Sequence, residues 1–361
     1  MAKIFGMAFV LLLALCACAY DASQTVWYKN FGGSLSSLSH GGNAVYAGFE
    51  DGRVVALTTS GSVLWEYNAG HIIKATSPAS GELYAASLDG FIHAIGSDGK
   101  ASWVVKTPTY VSNEKAFEAS EDAVYAGLSD GFIHAYDHEG RLMWTIKTDA
   151  YVQDILVTGD GILAVSDRRV IYYSKDGQIK WNSAFSNYIR AADAGEGVVA
   201  VGLSNNQFLV YDTKGTLLVN RTLGSPIGVV AVGEDMAYAG MRDNMIRAFS
   251  LNDSPSWSLN LNNSVVALSP AGEIVAASTL DNIVYLLDSR GSVVRSVKFG
   301  GVPNEMLPLE KSLLVGTSEG EISAVILPQR KEENAVLLIF MASVAILAAL
   351  ILLAKSWRRP T

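Results

Sequence analysis

The segment "YAGLSDGFIHAYDHEGRLMW", residues 125–144, nearly repeats the segment "YAASLDGFIHAIGSDGKASW", residues 84–103. Each copy runs from an apolar stretch through Asp-Gly and a second apolar stretch to a polar turn and a tryptophan. The two copies lie 41 residues apart. Self-similarity at a fixed period is typical of a protein built from stacked structural units, so the number of units decides the fold.

The tryptophan at the end of each copy traces the repeat along the chain. Its position occurs eight times, at intervals of 37 to 41 residues, and Val219 and Arg295 occupy it in two copies. Six of the seven tryptophans of the sequence belong to this series: Trp27, Trp65, Trp103, Trp144, Trp181 and Trp257. The sequence therefore contains eight units.

Each unit has the pattern of four short β-strands. Dipeptides such as Asp51-Gly52 and Asn205-Asn206 separate two of the strands, and they tolerate the positive φ that tight hairpins require. A four-stranded antiparallel sheet of about 40 residues is a propeller blade. The last unit lacks a tryptophan strand, and the first tryptophan strand, residues 25–31, has no unit before it. We therefore predict an all-β, eight-bladed β-propeller whose last blade is closed by the N-terminal strand.

The unit AxxxxGxxxW, as in "AYDHEGRLMW", "AIGSDGKASW" and "ALTTSGSVLW", resembles the tryptophan-docking repeat of the pyrroloquinoline-quinone-like propellers. The resemblance covers about residues 24–327. It implies that the six tryptophans dock structurally against the adjacent blade. Val219 and Arg295 depart from the motif, as does the Thr that usually precedes the glycine, so the regularity of two inter-blade contacts is in question.

The resemblance leaves two functional hypotheses open. Quinoprotein dehydrogenases of this family are larger, and many carry adjacent cysteines and a calcium site of Glu, Asn and Asp. Here Cys16 and Cys18 are not adjacent, and no calcium-binding set of Glu, Asn and Asp can be mapped onto the sequence. The resemblance to non-catalytic relatives, among them the propeller lipoprotein of the bacterial barrel-assembly machinery, favours a non-enzymatic scaffold that binds an envelope or surface protein. The alternative is a cofactor-binding oxidoreductase that uses the central channel. We predict no catalytic residue, cofactor or metal site.

The N-terminal segment has the pattern of a secretory signal. Lys3 precedes an apolar core, and Ala17-Cys18-Ala19 supplies small residues at a cleavage site. We predict a signal peptide over residues 1–19 and a propeller domain over residues 20–328. The stretch "LCAC", residues 15–18, also resembles a lipobox in which Cys18 would carry the lipid.

The C-terminal segment has the pattern of a membrane anchor. Residues 335–354 contain no charge, and twenty helical residues span about 30 Å, the thickness of a bilayer core. Lys355, Arg358 and Arg359 follow, and positive charge stays in the cytoplasm. We predict a linker over residues 329–334, a transmembrane helix over 335–354 and a cytoplasmic tail over 355–361. The protein would then be a single-pass membrane protein with its propeller outside.

The charge of the propeller argues against nucleic acid as a partner. Four of the 27 Lys and Arg residues lie in the two ends and none of the 35 Asp and Glu residues do, so residues 20–334 carry a net charge of −12. Nucleic-acid-binding surfaces are basic.

Two kinds of candidate site remain in the propeller. Counting back ten residues from each "YAG" position places Lys74, Lys115 and Arg190 at the central channel, where three cations would bind an anion. The alternative is that they are solvated strand ends paired with Glu114 or Asp154.

The equivalent positions of His93 and His134 indicate structural roles. The sequons predict glycosylation at Asn220, Asn252 and Asn262.

Overall fold

The computed structural model describes residues 25–195, 197–251 and 256–328. These residues form eight four-stranded antiparallel sheets. The result confirms the predicted all-β, eight-bladed propeller. In that described part of the chain no helix is long and apolar enough to cross a membrane. The predicted signal peptide, linker, transmembrane helix and tail lie outside the described residues.

Blades 1 to 4 follow one another along the chain after a first strand, β1 (Thr25–Asn30). Their strands are, in blade 1, β2 (Leu35–Gly41), β3 (Ala44–Phe49), β4 (Arg53–Thr58) and β5 (Val63–Asn68); in blade 2, β6 (Ile73–Ala79), β7 (Glu82–Ser87), β8 (Phe91–Ile95) and β9 (Ala101–Lys106); in blade 3, β10 (Phe117–Ala119), β11 (Val124–Gly127), β12 (Phe132–Tyr136) and β13 (Leu142–Lys147); and in blade 4, β14 (Val152–Thr158), β15 (Gly161–Ser166), β16 (Arg169–Ser174) and β17 (Ile179–Ala184).

Blades 5 to 8 complete the ring. Their strands are, in blade 5, β18 (Ile189–Gly195), β19 (Val198–Leu203), β20 (Gln207–Asp212) and β21 (Leu217–Thr222); in blade 6, β22 (Ile227–Val232), β23 (Met236–Met241), β24 (Met245–Ser250) and β25 (Trp257–Asn260); in blade 7, β26 (Val265–Ala271), β27 (Ile274–Thr279), β28 (Ile283–Asp288) and β29 (Val293–Lys298); and in blade 8, β30 (Pro303–Pro308), β31 (Ser312–Thr317), β32 (Glu321–Ile326) and the N-terminal β1. A short 3-10 helix, Glu114–Ala116, precedes β10.

Blade 8 is closed as predicted. Strand β1 pairs antiparallel with β32, with Trp27 opposite Ala324, and forms the outer strand of the sheet β30-β31-β32-β1. The amide of Phe31 also donates to the carbonyl of Gly320 (3.0 Å). This pairing joins the two ends of the propeller and covers the edge of β32.

The tryptophans of the outer strands lie against the next blade. The ring of Trp103 sits so close to Gly140 that a methyl group there would come within 2.9 Å of it. The indole Nε1 of Trp103 donates to the His138 carbonyl (2.7 Å). The same indole-to-carbonyl bond joins Trp27 to Thr59, Trp144 to Lys175, Trp181 to Thr213 and Trp257 to Ser289, while Trp65 packs on Gly99.

The two residues that replace the tryptophan of the motif still contact the protein interior or the next blade. Val219 is buried in blade 5. The guanidinium of Arg295 in blade 7 donates to the carbonyl of Ile326 in blade 8 (3.4 Å), so a polar side chain bridges the blades where other units use an indole.

The equivalent histidines lie inside the sheets. His93 and His134 are each 6% exposed, and their Nδ1 atoms contact the hydroxyls of Tyr67 (3.0 Å) and Tyr136 (2.9 Å). Burial lowers the pKa of both imidazoles. They pack as part of the core, in agreement with their interpretation as structural residues.

Candidate binding face and central channel

One end of the propeller carries the loops that join consecutive blades, and we call it the loop face. The loop after each outer strand bonds back to the Asp-Gly-type turn of its own blade, as Ala69 N does to Gly52 O (2.9 Å) and Thr107 N to Gly90 O (2.8 Å). Each loop then enters the innermost strand of the next blade. The loop face therefore surrounds one mouth of the central channel.

Three tyrosines occupy equivalent places on the loop face. Tyr110, Tyr151 and Tyr188 each precede the first paired residue of an inner strand, in blades 3, 4 and 5. Their exposed fractions are 42%, 47% and 43%. The other blades have Ser34, Ile72, Pro226, Ser264 and Val302 at this place. At this place in the described blades, exposed tyrosines are thus confined to three consecutive blades.

Polar side chains support two of these tyrosines. The Gln153 amide donates to the Tyr151 hydroxyl (3.1 Å) and to the Ile189 carbonyl (3.2 Å). The guanidinium of Arg190 donates to the Tyr188 hydroxyl (3.4 Å) and lies 5.6 Å from its ring centroid. We call Tyr110, Tyr151, Gln153, Tyr188 and Arg190 the tyrosine face. Exposed Tyr and Arg side chains are enriched among the residues that dominate binding at protein interfaces.

The central channel contains an insertion in blade 3 that the described inner strands of the other blades lack. In most blades the inner strand has a one-residue bulge next to its first pair, as at Lys74 between Ile73 and Ala75. In blade 3, Val111 bridges Leu128, but the regular pairing resumes only at Phe117. The additional residues 113–115 account for the 41-residue interval in the repeat.

The inserted side chains reach blades that are not neighbours of blade 3. The Lys115 ammonium donates to Asp193 Oδ1 in blade 5 (2.6 Å). Glu114 lines the same cavity as Glu305 of blade 8. Since Asp193 and Glu305 belong to blades that are not neighbours of blade 3, the insertion reaches across the channel.

Two carboxylates of the channel also join neighbouring blades. Glu118 accepts a hydrogen bond from the backbone amide of Val157 in blade 4 (2.7 Å), and Asp193 accepts one from Val232 in blade 6 (2.9 Å). Such bonds replace contacts with water at the inner ends of the sheets. The bond from Val232 holds Asp193 in place beside Lys115, whose ammonium donates to it.

Burial raises the pKa values of several carboxyl groups in this cluster. Asp154 is 6% exposed, and its pKa is raised well above the usual range by burial and by Asp193, Glu118 and Glu114, against the attraction of Lys115. No described residue donates to its Oδ2 atom. Burial also raises the pKa of Glu118 to about 7, although the bond from Val157 opposes this.

Glu305 and Lys115 complete the cluster. Burial, together with the adjacent Glu114, raises the pKa of Glu305. The Lys115 side chain is 41% exposed and lines the channel cavity. Partial desolvation opposes its charge, but the carboxylates of Asp193, Asp154 and Glu114 outweigh this and raise its pKa. Lys115 therefore stays charged.

The three cations predicted to bind an anion lie at different places. Lys74 and Arg190 occupy equivalent bulges in blades 2 and 5, and Arg190 belongs to the tyrosine face. The residue equivalent to Lys74 in blade 3 is Ser112, so counting back ten residues misplaced Lys115, which belongs to the insertion and is paired with Asp193. The anion site stays a prediction, and the acidic surroundings of Lys115 do not favour it.

The remaining candidate positions lie away from the channel. Asn220 is exposed on β21, and Asn262 is exposed in the loop between blades 6 and 7. Asn252 lies outside the described residues. Glycosylation at these sequons stays a prediction. In the described ranges no group of three or more His, Cys, Asp or Glu side chains could hold a metal ion.

The family described as the outer membrane protein assembly factor BamB matches this sequence over residues 17–150, 89–188 and 166–306. The overlapping matches follow from the repeat, because the same pattern fits the chain in several registers. The chain belongs to the BamB family. No curated protein matches the chain in sequence.

Solved structures similar to this BamB-family chain support the fold. BamB from Moraxella catarrhalis has a TM-score of 0.72 at 16% identity, covering 84% of this chain and 99% of its own. The computationally designed Ika8 protein has a TM-score of 0.74 at 17% identity, covering 84% and 100%. Saccharomyces cerevisiae Sqt1 has a TM-score of 0.73 at 15% identity, covering 86% and 100%. At these identities the likeness shows the fold alone.

Proposed function

We propose that this chain is a non-enzymatic scaffold of the cell envelope that binds another protein through its tyrosine face. The proposal rests on one observation above all: Tyr110, Tyr151 and Tyr188 are exposed at equivalent places in three consecutive blades. Tyrosine supplies a large apolar surface with a polar tip and loses little side-chain entropy on binding. Membership of a family described as an assembly factor supports a protein partner.

The residues in the channel also favour a scaffold over an oxidoreductase that holds a cofactor in the channel. The insertion at Glu114 and Lys115 reaches across the channel, where the Lys115 ammonium is bonded to Asp193 and Glu114 lines the same cavity as Glu305. The oxidoreductase alternative would use this space. The loop face around the channel mouth presents the exposed side chains of Tyr110, Tyr151 and Tyr188.

Site-specific photocrosslinking tests the proposed face. A photoreactive phenylalanine analogue replaces Tyr151 in the full-length protein, and the control places it at Tyr28, which is 57% exposed on the outer strand β1. We expect one protein adduct from position 151 and none of that mass from position 28. Equal adducts from both positions, or none from position 151, would contradict the proposed face.

We further propose that the propeller lies outside the cytoplasmic membrane, anchored by residues 335–354. The uncharged segment and the cations after it support this orientation. A Ser258→Cys variant, changed at an exposed position of β25, should react with a membrane-impermeant maleimide in spheroplasts. A Thr361→Cys variant should react only after the membrane is permeabilised. The opposite pattern would reverse the topology.

A further inference from the structure

Two loops of the loop face share a sequence pattern and a hydrogen bond. Residues 106–110 read KTPTY and residues 147–151 read KTDAY, so each loop begins at a lysine and ends at a tyrosine of the tyrosine face. In each loop the threonine hydroxyl donates to the carbonyl of the turn glycine that the loop crosses, Gly90 (2.8 Å) or Gly131 (2.7 Å). These bonds fix the loop backbone before a partner binds, which lowers the entropy cost of binding.

The hydroxyls of Tyr151 and Tyr188 are donors without an acceptor in the described part of the chain. Tyr188 receives a bond from the Arg190 guanidinium (3.4 Å), a group that can only donate. Tyr151 receives one from the Gln153 side chain (3.1 Å). The same side chain contacts the Ile189 carbonyl (3.2 Å), which can only accept, so Gln153 presents its amide N–H groups here. Each phenol oxygen therefore accepts, and its proton is left to donate to a partner.

Three cations near these tyrosines have no carboxylate partner among the described residues: Lys106, Lys147 and Arg190. All three are exposed. The two lysine ammonium groups lie over phenylalanine rings, 4.3 Å from the centroid of Phe91 and 5.0 Å from that of Phe132. An ammonium has three N–H donors, so each lysine keeps donors for a partner.

The charge around the tyrosines differs from that of the whole propeller. Five cations and four carboxylates lie in the loops that carry the tyrosines and in the turns that these loops cross, residues 88–91, 106–110, 129–132, 147–151, 167–169 and 184–190. Two of the four carboxylates, Asp149 and Asp167, are already paired with Arg169 (3.0 Å) and Arg168 (3.5 Å). Residues 20–334 together carry a net charge of −12. An acidic segment is therefore attracted to this face and repelled by the propeller as a whole.

We propose that the partner segment bound at the tyrosine face is acidic, and that its Asp or Glu carboxylates accept hydrogen bonds from Tyr151, Tyr188 and Arg190. This inference rests on the proposed function, since it names the chemistry of the protein bound at the same face. A carboxylate only accepts, so it matches phenol and guanidinium donors, and such charge-assisted bonds are stronger than neutral ones. Lys106 and Lys147 attract the same segment at longer range.

The dissociation constant of the partner identified by crosslinking at position 151 tests the hydroxyl donors. The full-length variant Tyr151→Phe/Tyr188→Phe keeps both rings and removes both O–H groups. It should bind at least about ten-fold more weakly than the wild type, because two charge-assisted hydrogen bonds are lost. The control Tyr28→Phe, changed on the outer strand β1, should bind as the wild type does.

A pair of charge reversals tests the attraction. The variant Lys106→Glu/Lys147→Glu should bind at least about ten-fold more weakly at low salt, and added salt should reduce the difference by screening. The matched variant Lys214→Glu/Lys311→Glu changes the net charge equally. Its two exposed lysines lie in turns at the end of the propeller opposite to the loop face, so it should bind as the wild type does. Unchanged unfolding midpoints show that each variant folds.

The outcomes distinguish this inference from the proposed function. If no protein crosslinks at position 151, the proposed face is wrong and the inference is wrong with it. If the partner binds and replacing the three tyrosines by serine abolishes binding, but the Phe and Glu double variants bind as the wild type does, the face stands and the acidic segment is refuted. Equal losses in both pairs of charge reversals, or a crosslink to lipid or nucleic acid in place of protein, would also refute it.

Discussion

Replacing Asp154 with Asn should stabilise the protein at neutral and alkaline pH. The carboxyl group is buried, no described residue donates to its Oδ2, and Asp193, Glu118 and Glu114 oppose its charge while Lys115 favours it. Asparagine has nearly the same shape, carries no charge and can donate to a neighbouring carboxylate. Lys115 keeps its direct bond to Asp193 in the variant.

The magnitude follows from the cost of an unsatisfied buried oxygen, about 1–3 kcal/mol. For a domain of this size each kcal/mol moves the unfolding midpoint by roughly 2–4 °C. The effect should depend on pH with a definite sign. The folded state raises the pKa of Asp154 above the unfolded value of about 3.9, so the cost of this residue grows as the pH rises above 4. The variant's advantage should be largest at pH 8 and vanish near pH 4.

Urea unfolding of both proteins at several pH values, followed by tryptophan fluorescence, measures this difference. The matched control is Asp243→Asn, an exposed turn residue whose equivalent in blade 5 is already Asn205. The control should change stability little at any pH. A destabilised Asp154→Asn variant, or a gain that does not depend on pH, would refute our account of the acidic cluster.

Three further predictions concern the propeller itself. Replacing Trp103 with Ala should lower the unfolding free energy by about 3–5 kcal/mol in urea titrations, since the indole packs on Gly140; a loss under about 1 kcal/mol would contradict this role. Deleting residues 20–31 removes β1 and should lower the unfolding midpoint and promote association in light scattering; an unchanged midpoint would show that β1 does not close the ring. His93 has a lowered pKa in the folded state, so the stability that its neutral imidazole contributes is lost as the pH falls below about 6.5. A His93→Asn variant should therefore lose less stability than the wild type between pH 7 and 5, and parallel curves would contradict that.

The architecture could be predicted from the sequence because each blade carries local signals. The turn dipeptides demand positive φ, and the structure places Gly52, Asn206, Asn244 and Asn282 at φ values of 92°, 68°, 69° and 67°. The tryptophan interval fixed the number of blades, and the unmatched first strand indicated the closure. These features depend on residues close together in sequence.

The channel could not be predicted as well because its residues come from distant parts of the chain. Glu114, Asp154 and Glu305 meet only when the ring closes. Counting back from the repeat failed at Lys115, since it assumed equal blade lengths. The 41-residue interval was the available signal of an insertion in blade 3. The three exposed tyrosines also had a signal, because Tyr110, Tyr151 and Tyr188 are separated by the repeat intervals of 41 and 37 residues.

The affinity of the partner for the tyrosine face tests the central claim most directly. The protein crosslinked at position 151 is purified, and its dissociation constant is measured for the wild type and for a Tyr110→Ser/Tyr151→Ser/Tyr188→Ser variant. Interface tyrosines that dominate binding each contribute more than about 1 kcal/mol, so the triple variant should bind at least about 100-fold more weakly while its unfolding midpoint stays unchanged. A Tyr28→Ser variant should bind as the wild type does. Wild-type affinity in the triple variant would contradict the claim that this propeller binds its partner through the loop-face tyrosines.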